Sequence, residues 1–192
     1  MLDHLRRKVI SLLSGSMGVD ADDRRTLITS TLQVGVSKGF LHPSELAATE
    51  SFLEFREKTA YDIMIPRTRL RGIDLRSGFE AVIERLRRDG GRDPVLVFDG
   101  DIDHLKGYLV ARDLLAWRYG VESAETVAEL LRSFYPVPET KPLFELMQEM
   151  IGQNTEMALV LDEYGGTSGV IPFQLLVGDF LLAKALSLAV TT

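Results

Sequence analysis

The sequence predicts an α+β fold in which one βαββα unit is used twice behind a short helical segment. Two observations predict it. From Thr59 onward, helical and strand periods alternate and then do so again. Apolar positions of the first round also recur about sixty residues later at a nearly constant offset, the mark of an internal repeat. A chain of 192 residues, 45% hydrophobic and 26% charged, buries a real core as one domain or two small ones.

The opening "MLDHLRRKVISLLSGSMG" sets basic residues before an apolar run, but Val9 to Leu13 is broken by Ser11. That run is far short of the ~20 apolar residues of a membrane span or the ~7 to 15 of a signal-peptide core. Leu2, Leu5, Val9, Leu12 and Leu13 share one side, with Arg6, Arg7 and Lys8 nearby, so a loosely packed N-terminal helix is expected ahead of an amphipathic membrane-surface helix. Gly15 to Asp23 is small, polar and acidic, a linker. Arg24 to Ser37 and His42 to Glu57 then read as two short helices parted by "KGFL". His42 suits the cap, and Pro43 suits the first helical position, where its missing N–H costs nothing.

In the first unit, Ser77 and Glu80 predict a capping box. Phe79, Val82, Ile83 and Leu86 follow at helical spacing until Gly90 and Gly91. Leu143, Leu146, Met147 and Met150 repeat that face, each 64 residues later (143 − 79, 146 − 82, 147 − 83, 150 − 86). A short apolar strand follows each helix, "PVLVFD" closing at Asp99 and "MALVLD" at Asp162, 162 − 99 = 63. A second strand then opens with Gly, "GYLV" at Gly107 and "GVI" at Gly169, 169 − 107 = 62. Two small deletions account for the drift, and each copy needs the other to cover its sheet. The apolar positions are core: Met147 and Met150 are packing residues, and Trp117 packs at the end of a helix from Arg112 to Tyr119.

Composition excludes several functions. Lys and Arg number 22 against 28 Asp and Glu, a net charge of −6, so no nucleic-acid partner is expected. The absence of cysteine removes disulfides, thiolate catalysis and Cys-ligated zinc. His4, His42 and His104 lie far apart and form no metal-ligand spacing, so no tightly bound protein metal site is expected.

The segments "YDIMIPR", "GRDPVLV", "GYLVARDLL" and "MALVLDEYGGTSGV" together resemble the paired CBS (cystathionine-β-synthase) domains of the CorC/HlyC hemolysin-related proteins, a family linked to magnesium and cobalt efflux. The resemblance covers roughly Leu41 to Val170, and "GFLHPSELAATESFLEF" resembles the segment that leads into the pair. It implies a Bateman-type pair with an N-terminal helical segment (1–57), CBS motif 1 (58–120), CBS motif 2 (121–180) and an atypical apolar tail (181–192). It also implies that "DIMIPR" forms the first strand and that "EYGGTSG" is a tight hairpin connection. In that hairpin Tyr164, Gly165 and Gly166 are structural, the glycines supplying backbone angles that strain other residues. Leu181 to Val190 departs from the family's acidic helix and is expected to cover a dimer surface or to be disordered.

In such pairs an adenine nucleotide lies between the motifs, its base on apolar strand edges and its ribose on an Asp. The pattern is Gly, two apolar residues, Thr or Ser, two of any kind, and Asp. An ionised Asp accepts from both ribose hydroxyls, and a hydroxyl one turn earlier reaches sugar or phosphate. Motif 1 keeps Gly107 and Asp113 but has Val110 for Thr; motif 2 keeps Gly169 and Ile171 but has Pro172 and Leu175 for Thr and Asp. The implied nucleotide-binding residues are Thr59, Ala60, Arg67, Arg92, Asp93, Pro94, Asp113 and Ile171, with Gly91 standing where the family's "Ser-Arg-x-Pro-Val" has Ser. Arg67 suits phosphate or an ion pair with Asp62, and Asp113 suits ribose or a helix dipole.

The expected function is a non-enzymatic regulatory module. It binds AMP or ATP, with or without magnesium, and modulates divalent cation efflux through a membrane channel or transporter. It works as a cytoplasmic homodimer or at the inner-membrane surface, with no membrane span of its own. The alternative is a CBS-dimer interaction scaffold that has lost nucleotide binding, which Pro172 and Leu175 favour. A hydrolase built on Asp162 and Glu163 is disfavoured, because neighbouring residues of a strand point to opposite faces.

Overall fold

The computed structural model describes residues 21–88, 90 and 94–180. These fall into two compact units, Lys58–Asp179 and a smaller one that holds the described residues up to Glu57 together with Phe180. The smaller unit pairs helix α1 (Ala21–Ser37) with α2 (Pro43–Glu57). His42 precedes α2, and its backbone N–H donates to Glu45 Oε2 at 2.8 Å, as a residue at a helix start should. Phe180 meets Phe55 and Phe52 edge-on, with ring centroids 5.3 and 6.2 Å apart.

In the larger unit a four-residue helix α3 (Ala60–Ile63) precedes β1 (Ile65–Pro66), β2 (Gly72–Asp74), α4 (Gly78–Arg88), β3 (Val95–Asp99), β4 (Asp101–Leu109) and α5 (Ala111–Arg118). The second round is β5 (Tyr135–Pro138), α6 (Leu143–Gly152), β6 (Met157–Leu161), β7 (Thr167–Pro172) and a helix over 173–180. The repeat holds in topology. β2 runs parallel to β3 and β3 antiparallel to β4; β5 runs parallel to β6 and β6 antiparallel to β7.

Each sheet is also completed from the other half of the chain. β1 adds to the edge of β7, Pro66 opposite Gly169, while Arg132, just ahead of β5, exchanges two backbone hydrogen bonds with Tyr108 of β4. These crossings explain the two glycines of the repeat. A Cβ on Gly169 would lie 2.4 Å from the Ile65 carbonyl oxygen, and one on Gly107 would lie 2.6 Å from that of Arg132.

Alternation along the strands divides the core. Val95 and Val97 of β3 join Val82, Leu86, Leu109 and Leu114 under the helices, and Leu96 between them faces the opposite way, into a cluster with Tyr108, Met157 and Val170 that draws on both sheets. Leu143, Leu146 and Met150 of α6 are fully buried. Trp117 stacks on Phe79 with centroids 3.9 Å apart, and its Nε1–H donates to the Ala124 carbonyl at 2.9 Å.

Several local expectations are corrected. Only Ile65 and Pro66 of "DIMIPR" are strand; Ala60–Ile63 coils because Asp62 Oδ2 accepts from both the N–H and the hydroxyl of Thr59, at 2.7 and 3.0 Å. β4 begins at Asp101 rather than Gly107, since Asp99-Gly100-Asp101 turns tightly with Gly100 at φ 76°. The chain enters α4 through Gly78 at φ 73°, after a short 3-10 turn, Leu75–Ser77, that Asp74 caps by accepting from the Arg76 N–H at 2.9 Å. In "EYGGTSG" only Gly165 has a positive φ, 81°. Gly166 is needed for space instead: its Cβ would lie 2.7 Å from Asp162 Oδ2, and its N–H donates to Asp162 Oδ1, also at 2.7 Å.

Candidate functional site

The larger unit carries two clefts of different chemistry. One, of about 640 Å³, opens where the segment after β1, the start of β3 and the end of β7 converge. Ile65, Leu70, Val95, Leu96, Met157 and Val170 make an apolar floor. Arg69, Arg71, Arg85 and Gln174 supply its polar side chains, and Pro94, Pro172 and Leu175 complete the wall. Among the described residues no carboxylate lines it. Arg69 and Arg71 above an apolar floor suit an anionic ligand with a flat apolar part, in a volume ordinary for small-molecule sites. Arg71 is steadied by donating from Nη1 to the Leu70 carbonyl at 2.8 Å.

The second cleft, of about 440 Å³, is lined by Arg112, Met150, Ile151, Asn154, Thr155 and Glu156, with Phe173 and Gln174. Glu156 takes the repeat position of Pro94 (156 − 94 = 62), and Arg112 that of Gln174 (174 − 112 = 62). Here the charges are internally matched. Arg112 Nη2 lies 2.5 Å from Glu156 Oε1. Beside them Arg132 donates from Nε and Nη2 to the two carboxylate oxygens of Asp113, at 2.6 and 2.9 Å. Those bonds push the guanidinium's pKa up from its ordinary value. The Asp113 carboxylate is largely buried, 13% exposed, and already has a bidentate partner.

Of the residues expected to bind nucleotide, Pro94 lines the open cleft. Asp113 sits beside the second one, held by Arg132. Thr59 and Ala60 dock instead on the start of α6: Ala60 is fully buried, its N–H donates to the Lys141 carbonyl at 2.8 Å, and Thr59 bridges to Pro142. Arg67 pairs with Asp103, not Asp62, because the β3–β4 hairpin brings Asp103 alongside. Ile171 is fully buried within β7. Arg92 and Asp93 lie outside the described residues. Arg69, Arg71 and Arg85 went unnoticed in sequence, although "PRTRLRG" alternates arginine with other residues at every second position from Arg67 to Arg71.

Comparison with known proteins decides the family. No family model matches the chain. The magnesium and cobalt efflux protein CorC of Salmonella typhimurium is 32% identical over 138 residues, 68% of this chain and 46% of that protein. The hemolysin C homolog of Rickettsia rickettsii is 28% identical over 131 residues, 68% of this chain and 44% of that protein. Among solved structures, the CBS domain of the bacterial CNNM/CorC family Mg2+ transporter in complex with ATP matches with a TM-score of 0.61 and 28% identity, over 71% of this chain and 96% of that one. A domain from Neisseria meningitidis matches with a TM-score of 0.69 and 29% identity, over 80% and 98%. The chain is a tandem CBS-domain pair of the CorC/hemolysin C family. It spans less than half the length of these curated CorC and hemolysin C relatives. Among the described residues, no helix of this CBS pair is long and apolar enough to cross a membrane, and no cluster of three or more His, Cys, Asp or Glu could hold a metal ion.

Proposed function

We propose that this CBS pair is a non-enzymatic regulatory module whose open cleft takes an adenine nucleotide, AMP or ATP, and whose occupancy modulates divalent cation efflux through a membrane transporter. The observation that carries the reading is the placing of Arg69 and Arg71 over an apolar floor, without a lining carboxylate among the described residues. The ATP complex of the similar CNNM/CorC domain supports an adenine nucleotide as the ligand. A cytoplasmic homodimer is part of the proposal, as is the division at 57/58, 120/121 and 180/181. Asp113 takes part in nucleotide binding only where Arg132 releases it.

The alternative, a CBS scaffold without a ligand, is favoured by one fact: Pro172 and Leu175 stand in the cleft wall where the family pattern has a hydroxyl and a carboxylate. Calorimetric titration with AMP, ADP and ATP, each with and without magnesium, separates the two. Binding of any of them below millimolar concentration supports the regulatory reading, and binding of none supports the scaffold.

A further inference from the structure

We infer that the open cleft selects its ligand by phosphate charge and does not read the sugar, an inference that rests on the nucleotide reading above. A ribose diol is read by side chains that accept its hydroxyl protons, usually a carboxylate. The cleft offers the reverse. Arg69, Arg71 and Arg85 are donors only, and Gln174, exposed at the rim, carries the one side-chain acceptor among the described lining residues. Leu175 and buried Pro172 close the same wall with carbon, and Pro172 has no N–H to add. A sugar placed there forfeits few hydrogen bonds when it loses its hydroxyls, whereas every phosphate removed takes away charge that Arg69 and Arg71 face. The ligand class is therefore an organic polyphosphate with a flat apolar group, ribonucleotide or not, and Leu175 is the residue that sets this tolerance.

The test is calorimetry of the whole chain with ATP, 2′,3′-dideoxy-ATP and inorganic tripolyphosphate at one ionic strength. The expected result is that dideoxy-ATP binds within about threefold of ATP and tripolyphosphate competes with both. Leu175→Asp, which sets a carboxylate in the wall, should then favour ATP over dideoxy-ATP by about tenfold or more, the scale of hydrogen bonds to a charged group. A wild-type preference for ATP of tenfold or more overturns sugar blindness and leaves the nucleotide reading intact. Failure of tripolyphosphate to compete overturns selection by phosphate. Binding of tripolyphosphate without ATP upholds phosphate selection and defeats the adenine reading, and no binding of either defeats both.

Discussion

Arg132 donates two hydrogen bonds to Asp113, so the carboxylate that the family pattern would turn toward a ribose is instead neutralised within the chain. The pair is partly buried, Asp113 at 13% and Arg132 at 30% exposure, so water screens it only in part. Asp113→Ala should therefore cost about 1 to 2 kcal/mol of stability, less than a fully buried pair would. Nucleotide affinity should stay within about twofold of wild type, because Asp113 does not line the open cleft. Urea denaturation and calorimetry on the same variant check both. A tenfold loss of affinity at unchanged stability would assign Asp113 to the ligand.

The close approaches at Gly107 and Gly169 yield a paired prediction. Alanine at either position must push apart two backbones, and neither carbonyl can rotate away without breaking its strand pairing. Each substitution should destabilise by about 1 to 3 kcal/mol, the cost of overpacking. Gly152→Ala is the control: nothing lies within 4 Å of its added Cβ and its φ is not positive, so stability should hold or rise.

The repeat was legible because apolar periodicity survives in both copies, and the offsets of 64, 63 and 62 carried the topology. What joins the copies was not legible. That Ile65 lies on Gly169, and Arg132 on Gly107, depends on pairing between segments far apart in sequence, which no local pattern records. The same limit hid Arg132 as the partner of Asp113. The Asp99-Gly100-Asp101 turn and the alternating arginines at 67, 69 and 71 did leave local signals. Their meaning came only from the hairpin that takes Arg67 to Asp103 and leaves Arg69 and Arg71 on the cleft.

Glu149 gives the stability a defined pH dependence. Its carboxylate accepts from Lys141 Nζ at 2.7 Å and from the Tyr135 hydroxyl at 3.1 Å, and its pKa is lowered, chiefly by the Lys141 bond. A depressed carboxylate stabilises the fold above its unfolded value, ordinarily 4.5, and that contribution is lost as pH falls through the lower folded value. Lys141, raised chiefly by its hydrogen bond to Glu149, behaves oppositely: its contribution is present below 10.5 and is lost as pH rises through the higher folded value. Glu149→Gln should flatten the profile of melting temperature against pH at both limbs, below about 4.5 and above about 10.5. The contacts are partly buried, with Lys141 18% and Glu149 36% exposed, and water still screens them, so the effect is modest; an unaltered profile would show the contacts contribute nothing.

Exposed apolar residues bear on assembly. Leu115, Tyr119, Val121 and Ile151 stand 55%, 81%, 79% and 61% exposed. Apolar side chains as open as these are commonly covered in a symmetric pair. Sedimentation at micromolar concentration should give a species of twice 21.4 kDa, and Leu115→Glu should shift it toward monomer. A wild-type monomer would contradict the dimer.

The open cleft itself is tested most directly by comparing ATP affinity in wild type, the Arg69→Gln/Arg71→Gln double variant and Asp113→Ala, each verified as folded by circular dichroism. Charge-assisted hydrogen bonds to phosphate are worth about 1.5 to 3 kcal/mol each. The double variant should therefore bind ATP at least about tenfold more weakly, while Asp113→Ala binds as wild type does. The reverse pattern, affinity kept without the two arginines and lost without Asp113, would place the ligand in the second cleft and contradict the account.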